Sequence, residues 1–148
     1  MLEVSEVAAK QHGEVAALYC RVGYGGGIGA SDTVIGGRMG GKMVAAVRVA
    51  SENGHLVLRG MYVDERFRRQ GIGSALLASV ESHLGLRGCW CIPYSHLRKF
   101  YAAIGFGDDF AMEVPGFLVN RLESYLEAGR PVVLMWRPGR PRSCGRSE

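Results

Sequence analysis

Between Leu56 and Val80 the chain reads as a strand, an arginine-rich glycine loop and a helix, in that order. The strand is Leu56-Val57-Leu58-Arg59-Gly60-Met61-Tyr62-Val63. The loop is Arg68-Arg69-Gln70-Gly71-Ile72-Gly73, and the helix opens Ser74-Ala75-Leu76-Leu77-Ala78-Ser79-Val80. Glycines let a backbone approach a ligand closely, and the free N–H groups at a helix start point at an anion. A diphosphate is the kind of group such a segment holds. Two familiar phosphate loops do not fit. A P-loop needs a Lys after its second glycine, and none follows Gly73. A dinucleotide fingerprint needs a third glycine where Leu76 stands. The pattern here is Arg-x-x-Gly-x-Gly, and its bland alternative is a strand-to-helix turn with solvated arginines.

A second segment favours the ligand reading. Leu97, Phe100, Tyr101 and Ile104 fall on one helical face, and Gly105 suits a helix C-terminus. A phenol held by a helix can donate a proton to a departing group, although a plain core aromatic is the alternative. Arg68 to Gly73, after a strand ending Met61-Tyr62-Val63, resembles the acyl-CoA signature of the GNAT-superfamily N-acetyltransferases. Phe100-Tyr101-Ala102-Ala103-Ile104-Gly105-Phe106 resembles that family's second signature.

The order of elements agrees. Patterning predicts strands at 2–7, 32–38, 42–50, 55–63, 87–92, 108–113 and 131–137, with helices at 8–22, 71–84, 95–104 and 116–128. Glu52-Asn53-Gly54 signals a hairpin. Ile72, Leu76, Leu77, Val80 and Leu84 form a helical stripe. The order is that of an α/β (α+β) mixed sheet with helices on both faces. It is similar to the GNAT acyl-CoA N-acyltransferase fold, a mostly antiparallel sheet flanked by helices. The N-terminal third shows one helix, where that family usually has two.

The resemblance implies an acetyl-CoA-dependent N-acetyltransferase in which a primary amine attacks the thioester directly. Backbone groups of Met61 and Val63 are expected at the pantetheine and acetyl group, with the Val63 N–H on the carbonyl oxygen. Arg68, Arg69, Gln70, Gly71, Ile72, Gly73 and Ser74 are expected at the pyrophosphate, and Tyr101 is expected to protonate the leaving thiolate. No metal is implied. No carboxylate on the strand 56–63 offers a base; His55, Tyr94, His96 or a water relay are the candidates. Tyr94 also stands where the family often has an Asn, while Ser95 can cap the helix. A non-catalytic acyl-CoA-binding regulatory module is the alternative.

Arg59, inside an apolar strand, needs a partner; Glu113 is one candidate, and clamping an acidic group on the acceptor is the other reading. Acceptor specificity is expected from Gly23 to Ala30 and from 107–120, with Tyr24, Phe110 and Phe117 as candidate lining residues.

Composition bounds the rest. A chain of 148 residues that is 47% hydrophobic can form one domain with a sizeable core, expected over residues 1–137. No apolar run is long enough to span a membrane. The start Met1-Leu2-Glu3-Val4-Ser5-Glu6 lacks a signal peptide's pattern. Cys20, Cys89, Cys91 and Cys144 show neither redox nor zinc spacing, so reduced thiols and a cytoplasmic location are expected. Net charge is +4, and Arg137, Arg140, Arg142 and Arg146 against Glu148 account for +3 of it. Residues 138–148 are expected to be a disordered basic tail. A nucleic-acid partner through that tail is the weaker reading; a small-molecule amine is the expected acceptor, with a protein amine and a homodimer also compatible.

Overall fold

The computed structural model describes residues 1–139. Met1–His83 form one unit and the residues from Leu84 onward a second.

In the first unit, strands β1 (Leu2–Glu6), β2 (Thr33–Met39), β3 (Lys42–Glu52) and β4 (His55–Val63) pair antiparallel in sequence order. The turn between β3 and β4 is the expected hairpin. Asn53 (φ 51°) and Gly54 (φ 80°) are both left-handed, the geometry that matches strand twist in a two-residue turn. Residues 43–50 of β3 are buried without a break, the pattern of a strand covered on both faces. Helix α1 (His12–Val22), preceded by a 3₁₀ turn at Ala9–Gln11, buries Val15, Leu18 and Tyr19 against Val7, Val34, Met43 and Ala46. Gly23 ends α1 at φ 79°. One helix therefore occupies the N-terminal third, as expected. Helix α2 (Ile72–Leu84) buries its predicted stripe of Ile72, Leu76, Leu77, Val80 and Leu84.

In the second unit, β5 (Cys89–Cys91) pairs antiparallel with β6 (Met135–Arg137). Trp90 lies against Trp136 at 4.6 Å and edge-on to Phe110 at 5.2 Å. Both strands are three residues long, shorter than the predicted 87–92 and 131–137. Pro93 and Pro131 lack the N–H that would extend the ladder, and Tyr94 and Val132 meet only as an isolated bridge. The predicted helix 95–104 is a 3₁₀ turn at Ser95–Leu97 followed by α3 (Arg98–Ala102). Ser95 does not cap it; its N–H donates to the Pro131 carbonyl at 2.9 Å. Gly105 closes the segment at φ 101°, as expected.

The predicted strand 108–113 is absent. Only Gly107 pairs, exchanging two hydrogen bonds with Trp136. Adjacent carboxylates at 108 and 109 disfavour a strand; Asp108 binds Arg98 at 2.9 Å, and Phe110 turns onto Trp90. Helix α4 (Gly116–Glu127) follows Pro115 and buries Leu118.

Candidate functional site

The site begins with an irregularity in β4. Arg48 pairs with Arg59 and Ala46 with Tyr62, so Gly60 and Met61 together oppose Val47 alone. This is a β-bulge, and Gly60 takes the left-handed conformation it requires at φ 67°. A side chain at Gly60 would also collide with the Tyr19 hydroxyl, 2.5 Å from its Cβ position, and press on Arg48 Nε at 3.0 Å. After the bulge, the Asp64 N–H donates to the Val44 carbonyl of β3 at 2.7 Å. Successive backbone groups point to opposite sides of a strand, so the Val63 N–H and carbonyl point away from β3. The Val63 carbonyl accepts a bond from Arg68 Nε at 3.1 Å, which ties the glycine loop back to the strand.

Asp64 organises the turn between them. Its carboxylate accepts the Arg66 N–H at 3.1 Å and lies near Arg66 and Arg21 at 3.7 and 3.6 Å. The Arg66 backbone bond, aided by both arginines against the effect of burial, holds its carboxyl below the usual range. Beyond it Arg69 (φ 65°) and Gly71 (φ 78°) are both left-handed, a backbone habit that turns N–H groups toward a common concavity. For Arg69, which has a Cβ, this conformation costs about 1–2 kcal/mol. The first hydrogen bond of α2 runs from the Ala75 N–H to the Gly71 carbonyl at 3.1 Å. The N–H groups of Ile72, Gly73 and Ser74 therefore lack intrahelical acceptors.

These residues fit a pyrophosphate. Arg68, Arg69, Gln70 and Gly71 are exposed, and no atom lies within 4 Å of where a Gly71 side chain would begin. Ile72 can contribute only its backbone, because its side chain is buried under Gly37.

Beside the bulge lies a cluster that sequence reasoning missed. Arg48 of β3 is 2% exposed. It donates to Asp32 at 2.8 Å and to the Tyr24 hydroxyl at 2.6 Å, and its guanidinium lies 5.8 Å from the centres of the Tyr19 and Tyr24 rings. Burial works against its charge; the bond to Asp32 and the two tyrosines outweigh that and raise its pKa. Tyr19 donates to the Gly60 carbonyl at 2.8 Å, and burial pushes its phenol up to about 12. Tyr24 stacks on Tyr62 of β4 at 4.7 Å. The cue was a charged residue in Val44-Ala45-Ala46-Val47-Arg48-Val49, but its partner sixteen positions upstream left no local signal.

In the second unit Tyr101 is buried on α3, edge-on to Phe100 at 5.0 Å and Phe106 at 6.2 Å. Cys89 and Cys91 are buried, and burial raises the Cys91 thiol well above its usual range, the reverse of an activated nucleophile. Arg59 pairs with Glu52 at 3.1 Å, so Glu52 takes the place foreseen for Glu113. Phe110 packs on Trp90, and Phe117 lies 5.5 Å from the Arg121 guanidinium. Arg140, Arg142 and Arg146 of the tail lie outside the described residues. Among the described residues no helix is long and apolar enough to cross a membrane.

Known proteins share the fold of this chain. The family model for the acetyltransferase (GNAT) domain matches residues 30–107, which include β2 to β4, the glycine loop, α2 and Tyr101. Among curated proteins none matches the chain in sequence. Among solved structures, the ribosomal-protein-S18-alanine N-acetyltransferase from Escherichia coli is 18% identical with a TM-score of 0.72, all of both chains being covered. Escherichia coli ElaA is 19% identical with a TM-score of 0.67, over 93% of this chain and 99% of that one. The N-acetylglutamate synthase from Neisseria gonorrhoeae, complexed with coenzyme A and N-acetyl-glutamate, is 14% identical with a TM-score of 0.64, over 95% of this chain and 36% of that one. At these identities the solved structures speak for the fold, the GNAT acyl-CoA N-acyltransferase fold, while the family model speaks for kinship. The chain belongs to the GNAT acetyltransferase family and is an N-acetyltransferase.

Proposed function

We propose that the protein moves an acetyl group from acetyl-CoA to a primary amine, with β4, the loop 68–73 and the start of α2 holding the donor. The observation that carries this is the paired left-handed geometry of Arg69 and Gly71 at an exposed helix start, directly after a bulged strand whose Val63 N–H points away from β3. A neighbour of the same fold binds coenzyme A, which supports the same donor. Acetyl-CoA supplies the activated thioester.

The protein's own groups do the rest. N–H groups from Arg69 to Ser74 bind the pyrophosphate, and Arg69 adds a permanent positive charge beside it. Arg68 braces the loop on Val63 and keeps its outer nitrogens for a phosphate. Backbone groups of Met61 and Val63 align the pantetheine arm. The Val63 N–H donates to the acetyl carbonyl oxygen, where a fixed donor matters most as negative charge grows. As the neutral amine nitrogen bonds to the acetyl carbon the C–S bond breaks; Tyr101 gives its proton to the departing thiolate, a role supported by its place in the Phe-Tyr-x-x-x-Gly-Phe motif, and the proton shed by the amine nitrogen leaves through water. A small-molecule amine is the proposed acceptor. The neighbour named for the alanine of ribosomal protein S18 keeps a protein N-terminus as the second class to screen. The active chain is proposed to be one catalytic domain over 1–137, in the cytoplasm.

Calorimetric titration with acetyl-CoA tests the donor site. Wild type should bind saturably. Gly71→Glu, which places bulk and negative charge in the concavity, should not. Gly71→Ala carries the same backbone strain without the charge and should retain most of the affinity. Binding that survives Gly71→Glu would sink the loop assignment.

A further inference from the structure

Between α1 and the segment 24–30 lies an open cleft of about 580 Å³, within the range of small-molecule sites. Its walls are Ala16, Tyr19 and Cys20 from α1 and Tyr24 and Ile28 from the loop, with His12 at one end; glycines and Ala30 complete it. We propose that this cleft seats the body of the acceptor amine, and that it selects a neutral, apolar body, aromatic or branched aliphatic, over one bearing a second charge. The inference rests on the acetyl-transfer reading above and adds the acceptor's chemistry to it.

Three observations carry it. The first is continuity with the donor strand. Two cleft residues reach β4 directly: Tyr19 through its bond to the Gly60 carbonyl, and Tyr24 through its stack on Tyr62. Gly60 and Tyr62 flank Met61, the residue proposed to align the acetyl arm. The second is charge. No Asp, Glu, Lys or Arg lines the cleft. Asp32, just past the glycine loop, accepts from Arg48 and from the Gly29 N–H through Oδ2, each at 2.8 Å, and its side chain is buried outside the cleft lining. Arg48 gives its two outer nitrogens to Asp32 and Tyr24, and its Nε, with no hydrogen-bond partner among the described residues, lies buried beside Gly60 and outside the cleft lining. A second ammonium entering the cleft would lose water and find no carboxylate on its walls, and a carboxylate would meet only His12, whose Nε2 is already engaged with the Val7 carbonyl at 3.2 Å. The third is shape. Gly25, Gly26, Gly27 and Gly29 bring no side chains to the loop wall, so Ile28 and the two tyrosines supply the apolar surface.

Arg48 acts here as a positioning residue. Through Asp32 and Tyr24 it pins both ends of the glycine segment to β3, and so holds open a wall that glycines alone would leave loose.

The test uses the full chain and three probes: 2-phenylethylamine, L-glutamate and spermidine. Each is titrated while the backbone amides of Ala16, Tyr19 and Ile28 are followed by NMR, and each is assayed as acceptor with acetyl-CoA. The expected result is saturable shifts and turnover with 2-phenylethylamine, at least tenfold weaker binding of the other two, and a KM for 2-phenylethylamine raised at least tenfold by Ala16→Trp. Ala16 is exposed on α1, so the tryptophan fills the cleft without entering the core. The KM for acetyl-CoA should stay within twofold. Ile28→Asn, which removes apolar surface from the wall without adding charge, should weaken 2-phenylethylamine similarly. If acetyl-CoA binds but Ala16→Trp leaves the amine's KM unchanged, or if glutamate or spermidine equals 2-phenylethylamine, the cleft is overturned and the donor site stands. If the amine binds and acetyl-CoA does not, the acetyl-transfer reading fails and takes the acceptor role with it.

Discussion

At the scale of single residues, the clearest expectations concern one phenol and one carboxylate. Tyr101→Phe removes a hydroxyl and little else. If Tyr101 is the proton donor, kcat should fall by about 10²-fold or more, the usual worth of a placed general acid, while acetyl-CoA affinity stays within about twofold. Steady-state kinetics beside calorimetry separates the two. Asp64 sets an acid limit. Its folded pKa is lowered, chiefly by the Arg66 N–H. As pH falls toward that value the unfolded chain binds the proton first, so Asp64's contribution is complete above about pH 5 and lost in stronger acid. Asp64→Asn should therefore destabilise the protein at pH 7 and much less at pH 3, a difference that urea unfolding at the two values will show. That Tyr101 lies on a helical segment closed by Gly105 was legible because that pattern is local. Arg48 was not, because its meaning depends on Asp32 and Tyr24, which only the folded chain brings to it.

At the scale of elements, the bulge in β4 and the ion pair beside it make distinct predictions. Gly60→Ala forces a Cβ into a left-handed position and against the Tyr19 hydroxyl. The expected cost is about 2–4 kcal/mol, combining backbone strain with displacement of buried partners. Arg48→Met strands Asp32 without its counter-charge and should cost about 3–5 kcal/mol, whereas Arg48→Met with Asp32→Leu should cost less, because no lone charge is left buried. Equilibrium denaturation of the single and double variants checks the order. Element by element, the sequence was a good guide where periodicity was long. The stripe on α2 and the Asn53-Gly54 hairpin emerged as expected. The segment 108–113 misled because Phe110 and Met112 mimic strand alternation. Phe110 answers to Trp90 and Asp108 to Arg98, contacts from elsewhere in the chain.

At the scale of the whole molecule, ligand binding and folding are linked. A donor held at 100 times its Kd should stabilise the protein by about 2.7 kcal/mol and raise its melting temperature accordingly. Gly71→Glu should show no such rise. Removing residues 140–148 takes away Arg140, Arg142 and Arg146 together with Glu148, a net +2 of the chain's +4, yet touches no residue of the proposed donor loop. The shortened protein should keep its acetyl-CoA affinity, measured by the same titration, while any nucleic-acid retention on heparin or DNA columns should drop.

The amino-acid sequence alone determined what local physics can encode. Glycine and asparagine marked the turns, apolar spacing marked α2 and most of the strands, and two short motifs marked a candidate phosphate loop and a candidate proton donor. Such features depend on residues within a few positions of one another, so they survive without knowledge of the rest. Tertiary structure alone decided that Gly60 buckles β4, that Arg48 turns inward onto Asp32 and Tyr24, and that Tyr19 and Tyr24 wall a neutral cleft. Each is settled by partners sixteen to forty-one positions apart, where packing, and not spacing, chooses the neighbour.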